Sequence, residues 1–291
     1  MGLVPSEIEK MSIAYLNGEY LPLDQARISP LDRGFLFGDG IYEYIPSYDG
    51  KLVGFSLHIE RLKRGLDSLK IDLPWSLEQW REIFDELIKR NGAGNQSLYL
   101  HISRGADTKR DHAYPKGIKP TVFILVSKID PPQIADPELA HTFKVSSKQD
   151  LRWDRCHIKS TALLGNVMHK QSSVEDGCDE ALLYNEKEEI TEGASSNIVV
   201  VKDGKMATPL LDHHVLPGIT RYILFDIVGK YSKRLFEERV VTLAEARDAD
   251  EIWVTASSKD LVPVVELDGK PLGDGKPGPV WQEVMALYSE H

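Results

Sequence analysis

The chain has 291 residues, 42% hydrophobic and 27% charged, a globular composition long enough for two domains with cores of their own. Its net charge of -10 argues against binding to a nucleic-acid backbone, and no apolar run approaches the length of a membrane span. Two cysteines, Cys156 and Cys178, make no disulfide framework and suit a reducing cytosol, so a cytoplasmic location is expected.

Residues 1–10 read as a loose leader, in which Gly2 and Ser6 also match the short N-myristoylation pattern. Ile13–Leu16, Asn17-Gly18 and Glu19–Leu21 predict a hairpin on an Asn-Gly turn. A strand follows over Ile41–Tyr48, and Asp49-Gly50 turns it into Lys51–Phe55. Ser56 is the expected N-cap of a helix with the stripe Leu57, Ile59, Leu62, Leu66 and Leu69. A second helix runs from about Ser76 to Lys89 and stops at Asn91-Gly92. Strands at Ser97–Ser103 and Thr121–Ser127 complete a small α/β domain, residues 1–130. Pro131-Pro132 cannot continue either neighbouring element, so residues 131–137 form the expected linker to a second domain, 138–291. That domain should hold a strand from Phe143, a helix over Thr161–Glu175, and strands at Glu180–Tyr184, Glu189–Thr191 and Asn197–Val201. A helix then opens after Gly218, a strand spans Ile252–Thr255, and a hairpin closes the chain around Asp268-Gly269. The fold class is α/β, with α+β character and two domains, and no internal repeat is visible.

Two stretches carry chemistry, Arg152–Ser160 and Thr191–Asn197. The first offers Lys159 in an apolar context and the second Glu192 at a glycine-broken strand end. A lysine amine can form a Schiff base with an aldehyde and shuttle a proton. A carboxylate can keep a pyridine nitrogen protonated. From these residues alone, an ordinary lysine and a turn glutamate remain open.

Further motifs occur in order along the chain: Asp32–Glu43, His58–Leu62, Arg110-Asp-His112, Asp150–Ser160, Thr191–Asn197, Gly218–Arg221 and Gly273–Gly278. Each is short. The ordered set resembles the fold-type IV (class IV) aminotransferases that use pyridoxal 5'-phosphate, and within them the D-amino acid branch. The resemblance implies a small N-terminal α/β domain and a larger C-terminal pseudobarrel domain carrying the cofactor lysine, assembled as a homodimer. It implies ping-pong transamination between a D-amino acid of the D-alanine type and a 2-oxo acid such as 2-oxoglutarate. Lys159 becomes the Schiff-base lysine and Glu192 the partner of the pyridine nitrogen. Arg61, Ile219, Thr220 and Ser257 become phosphate ligands, the second and third at a helix N-terminus that favours an anion. Ser196 and Asn197 support the site, and Leu216 rests against the cofactor ring. Arg110 and His112, reaching in from the partner subunit, join Tyr42 on the substrate carboxylate, Arg supplying a planar fork. No metal is implied. Tyr44 and Pro46 depart from the small aliphatic residues that relatives carry there. The same fold also serves branched-chain L-amino acid aminotransferases and aminodeoxychorismate lyases. The Arg-X-His pair separates the D-amino acid branch from the branched-chain enzymes, which lack it as a rule.

Overall fold

The computed structural model describes residues 12–290, so the expected leader and the Gly2–Ser6 pattern lie outside the described residues. The chain divides into two units. One comprises the described residues up to Pro131 together with Ile158–Leu163. The other comprises Pro132–His157 and the described residues from Leu164 onward.

In the first unit six strands pair in the order β2-β1-β6-β5-β3-β4. They are β1 (Ile13–Leu16), β2 (Glu19–Pro22), β3 (Gly40–Tyr48), β4 (Lys51–Leu52), β5 (Gln96–Ser103) and β6 (Thr121–Lys128). Side chains alternate across a strand, so Ile41 and Ile45 of β3 share a face with Leu98, Leu100 and Ile102 of β5. That face packs against helices α2 (Phe55–Leu69) and α3 (Leu77–Asn91) through Leu62, Leu66, Phe84 and Leu87. Each such fully buried side chain contributes roughly 1.5–3 kcal/mol of transfer free energy. Ser76 caps α3 in a capping box with Gln79. Ser56, however, is not the N-cap of α2. Gly54, in the left-handed region at φ 59°, turns the chain sharply out of β4, and the helix begins at Phe55. A short helix, α1 (Arg33–Phe37), precedes β3 and was not expected from the pattern.

Pro46 does not interrupt β3. The Tyr42 N–H points to the strand's outer edge, where it donates to Lys159 O, and the Pro46 carbonyl on the same edge accepts from Val53 N. The missing Pro46 N–H therefore faces away from β5, and the β3–β5 ladder runs unbroken from Gly40 to Ser47.

The segment around Lys159 packs in the first unit, although the sequence assigned it to the C-terminal domain. Ser160 bridges to Ile41, Thr161 N donates to Gly40 O, and Thr161 Oγ1 donates to Gly38 O. Ile158 joins the core of this unit. Gly38 makes the approach possible: at φ 66° a Cβ there would lie 2.9 Å from Ala162 Cα. With Thr161 held in this way, the next helix starts at Leu164 and not at Thr161.

The second unit holds nine strands, eight of them in the path β12-β11-β10-β13-β14-β7-β8-β9, with β15 beside β14. They are β7 (Phe143–Gln149), β8 (Glu180–Tyr184), β9 (Ile190–Gly193), β10 (Asn197–Lys202), β11 (Lys205–Thr208), β12 (Phe236–Glu238), β13 (Glu251–Ala256), β14 (Asp260–Leu267) and β15 (Lys270–Pro271). The helices are α4 (Leu164–Glu175), α5 (Ile219–Tyr231), α6 (Leu243–Arg247) and α7 (Pro279–Glu290). Alternation along β13 sends Ile252 and Val254 into one core and Trp253 into another, the latter with Leu224 and Val228 of α5 and Trp281 and Val284 of α7. No described helix is long and apolar enough to cross a membrane.

The loop between β5 and β6 leaves the sheet through Gly105. Its φ is 105°, and an added Cβ would fall 1.9 Å from the Lys119 carbonyl oxygen. Both a disallowed conformation and a backbone clash oppose any side chain here. Gly105→Ala should therefore destabilise the protein by roughly 2–3 kcal/mol. A denaturant midpoint equal to that of the parent would contradict this.

Candidate active site

In the first unit, alternation along β3 separates two neighbouring polar residues. Tyr42 faces one side of the sheet, and Lys159 Nζ lies 4.1 Å from the centroid of its ring, a cation–π distance. Glu43 faces the other side, among core residues, with no exposure at all. A carboxylate there must be paired. His58 and Arg61, one helical turn apart on α2, both reach it. His58 Nδ1 donates to Oε2 at 2.7 Å, Arg61 Nε to Oε1 at 2.8 Å and Arg61 Nη2 to Oε2 at 2.7 Å. Burial alone would raise the Glu43 carboxyl, but the Arg61 charge and these hydrogen bonds outweigh it and hold it at about 2. Burial also lowers the pKa of His58, favouring the neutral imidazole.

In the second unit the chemistry gathers on Glu192, at the end of β9. Its carboxyl is buried, Oε1 accepting from Arg152 Nη1 at 2.5 Å and Oε2 from Asn197 Nδ2 at 3.1 Å and Leu216 N at 2.9 Å. Arg152 is shared with Asp150, which in turn accepts from Thr191 Oγ1. Burial pushes the Glu192 carboxyl up to about 7, and Arg152 opposes that rise only in part. Asn197 Nδ2 also donates to Leu216 O, so Glu192, Asn197 and Leu216 form one bonded group. Gly218 caps α5 without a side-chain hydrogen bond, and a Cβ there would sit 2.0 Å from Asn197 Oδ1. Ile219 and Thr220 are buried in the first turn. Ser196 Oγ lies 3.4 Å from Glu180 Oε2, and Ser257 is half-buried after β13. These groups suit the chemistry of pyridoxal phosphate. They comprise a buried carboxyl able to share a proton with a ring nitrogen and an uncapped helix N-terminus for phosphate.

Arg110 and His112 are exposed, and both lie against the Phe37 ring, at 5.0 Å and 5.1 Å. Among the described residues no hydrogen bond or ring contact joins either one to Tyr42. Several residues of this site stood in the motifs without being given a role: Glu43, His58, Arg152 and Asp150. For Glu43 a signal existed, an acid at a position whose neighbours two residues away, Ile41 and Ile45, are core residues. For His58 it was the three-residue spacing to Arg61.

Glu43→Gln would leave Arg61 buried without its counter-charge, a loss of about 3–5 kcal/mol in unfolding free energy at neutral pH. The folded-state pKa of Glu43 is depressed, so its contribution is complete above the ordinary value of 4.5 and fades as pH falls toward about 2. Denaturant titrations across that range should show the variant lacking this part of the acid limb. A variant as stable as its parent would refute the pairing.

Comparison with known proteins shows the family. The sequence model of amino-transferase class IV matches residues 40–267. The D-alanine aminotransferase of Staphylococcus haemolyticus is 36% identical over 97% of this chain and 98% of the relative. That of Listeria monocytogenes is 30% identical over 94% of each. Among solved structures, the branched-chain amino acid aminotransferase of Escherichia coli superposes with a TM-score of 0.87 at 21% identity, covering 97% of this chain and 94% of that one. The branched-chain enzyme of T.th., complexed with N-(5'-phosphopyridoxyl)-L-glutamate, gives 0.87 at 22%, with the same coverage. At such identities the likeness shows the fold. The chain belongs to the class IV aminotransferase family and is a pyridoxal phosphate-dependent enzyme of fold type IV.

Proposed function

We propose that this aminotransferase acts on D-amino acids of the D-alanine type, with a 2-oxo acid such as 2-oxoglutarate as second substrate, as a cytoplasmic homodimer. The observation that carries the reading is the Arg110-Asp-His112 run, held as an exposed pair of side chains on a fixed loop. Likeness to D-alanine aminotransferases along nearly the whole chain supports it.

When bound, pyridoxal phosphate supplies an aldehyde carbon for the amino group and a ring that accepts electrons as the substrate Cα loses its proton. Lys159 holds the cofactor and its Nζ takes that proton. The Tyr42 ring beside Nζ keeps the ammonium form in a favourable contact. Glu192 holds a proton toward the ring nitrogen. A carboxyl near 7 suits that sharing at physiological pH. Arg61, Thr220, Ser257 and the Ile219 N–H bind the phosphate. Ser196 and Asn197 keep the Glu192 turn in place, and Leu216 rests against the ring. The substrate carboxylate is bound by Arg110 and His112 of the partner subunit and by the Tyr42 hydroxyl. With Cα–H directed at Lys159, the side on which the carboxylate is held selects the enantiomer.

The test is a panel of paired D- and L-amino acids with 2-oxoglutarate. D-alanine should be turned over at least about tenfold more efficiently than L-alanine, L-valine or L-leucine, a difference of about 1.4 kcal/mol in transition-state binding. Preference for the L-aliphatic substrates would replace this reading with the branched-chain one.

Subunit mixing tests the homodimer. Lys159→Ala should lose activity by several orders of magnitude, since nucleophile and proton shuttle go together. Arg110→Ala forfeits a charge-assisted contact of about 1.5–3 kcal/mol, so KM for D-alanine should rise roughly ten- to a hundredfold. At D-alanine well below the raised KM, a mixture of the two variants should regain part of the parental rate. A mixed dimer then holds one site with both defects and one intact site. No recovery despite confirmed exchange would assign the loop to its own subunit.

A further inference from the structure

Exposed side chains recognise a carboxylate well only if their backbone is fixed, because disorder would have to be frozen out at each binding event. The Arg110–His112 segment lies in a long loop between β5 and β6 with no regular structure of its own. What fixes it is Arg33, the first residue of α1, whose N-cap Asp32 accepts from Gly34 N. The Arg33 guanidinium is only 3% exposed. Its Nη1 donates to Asp111 O at 2.5 Å, its Nη2 to His112 O at 3.1 Å and its Nε to Asp39 Oδ2 at 2.8 Å.

Asp39 is held in turn by Arg104, through Nε at 2.8 Å and Nη2 at 2.9 Å. Arg104 also donates to the carbonyls of Leu69 and Lys70 and lies 3.5 Å from the centroid of the Tyr114 ring, at the far side of the same loop. Two buried guanidiniums thus share one carboxylate. The excess positive charge is directed at backbone carbonyls, two of them in the loop. Phe37 completes the arrangement, its ring 4.8 Å from Arg33 Cζ and within about the same distance of Arg110 and His112. Lysine could not replace Arg33, since a single ammonium on a flexible stem cannot span the Asp39 carboxylate and two successive carbonyls in one plane.

We propose that Arg33, oriented by Asp39, is a positioning residue for substrate carboxylate recognition: it pins the backbone at Asp111 and His112 and thereby sets the side chains of Arg110 and His112. The proposal rests on the reading that these two side chains bind the substrate carboxylate. That carboxylate is common to the amino acid and the 2-oxo acid, so losing the pin must weaken both substrates together while leaving proton transfer at Lys159 alone.

The experiment uses the holoenzyme and the variants Arg33→Met and Arg33→Lys, the latter keeping a charge beside Asp39 should the former fail to fold. KM for D-alanine and for 2-oxoglutarate should each rise about tenfold, with kcat within twofold of the parent and the absorbance of the bound cofactor unchanged. Trypsin should cleave after Lys109 and Arg110 faster than in the parent. Arg110→Ala is measured in parallel. If it raises both KM values while the Arg33 variants do not, the loop needs no pin from Arg33 and the proposal is wrong. If Arg110→Ala leaves both unchanged, the carboxylate reading itself falls. If the Arg33 variants lose kcat or cofactor together with affinity, Arg33 supports the fold at large and not the loop, and the proposal is again overturned.

Discussion

A carboxylate removed from water must be paired or fully hydrogen-bonded, and in this chain three carboxylates of the site regions, Glu43, Asp39 and Glu192, are paired with arginine. Glu43 takes Nε and Nη2 of Arg61, Asp39 takes Arg33 and Arg104, and Glu192 takes Arg152. Desolvating either partner alone would cost several kcal/mol, so neither can be lost singly. The guanidinium is suited to this because it keeps its charge and offers donors in a fixed plane. Each pair therefore fixes more than its own two residues. Arg61 is locked on α2, the Glu192 turn is locked to β7 through Asp150, and the loop after β5 is locked to α1. The stability of the pairs and the placement of the functional groups are one property.

The chain distributes the expected cofactor residues between its two units. Tyr42, Arg61 and Lys159 belong to the first, while Glu192, Asn197, Leu216, Thr220 and Ser257 belong to the second. Six residues, Ile158–Leu163, return to the first unit from within the second and lie along the outer edge of β3. That placement explains why Pro46 is tolerated and why Gly38 cannot be larger. The edge of β3 is shared between the Lys159 segment and β4, and Pro46 falls where that edge uses its carbonyl, which accepts from Val53 N, and needs no N–H from it.

Most strands and helices α2 to α5 were legible because their information is local, whereas α7, beyond the hairpin read as closing the chain, was not read. Runs of aliphatic and aromatic residues marked β3, β5, β6, β10 and β13, the Asn-Gly turn marked the first hairpin, and Asn91-Gly92 marked the end of α3. What was illegible depends on contacts far apart in sequence. The Lys159 segment reads as part of its neighbours, since nothing within it reports its pairing to Ile41. The short helices α1 and α6 are five residues each, too brief for a periodic stripe. Ser56 looked like a cap because only a left-handed Gly54 reveals that the chain has already turned. In the site, the motif order pointed to Lys159, Glu192 and Arg61. The residues that hold Glu192 and Arg61, namely Arg152 and Glu43 with His58 behind it, were in view but without roles, because a supporting contact has no signature in a single strand or helix.

Glu43 and Glu192 show how similar pairs can be set to opposite ends. Both carboxyls are buried and both have an arginine. Glu43 receives hydrogen bonds on both oxygens from one guanidinium, and a third from His58, with no second anion among the groups that shift it. Its ionised form is strongly favoured, and the residue acts as a permanent anchor. Glu192 has only one oxygen on its arginine, its other oxygen facing neutral N–H donors, and Arg152 divides its charge with Asp150, itself an anion that raises the Glu192 pKa. The attraction is diluted enough for burial to prevail, and the carboxyl is left near neutrality. A group with that balance can exchange a proton with a bound ring nitrogen at little cost in either direction. Adding a second guanidinium donor to Glu192 would make the site more stable and the carboxyl a poorer proton partner. The incomplete pairing thus suits Glu192 to the part proposed for it beside the ring nitrogen.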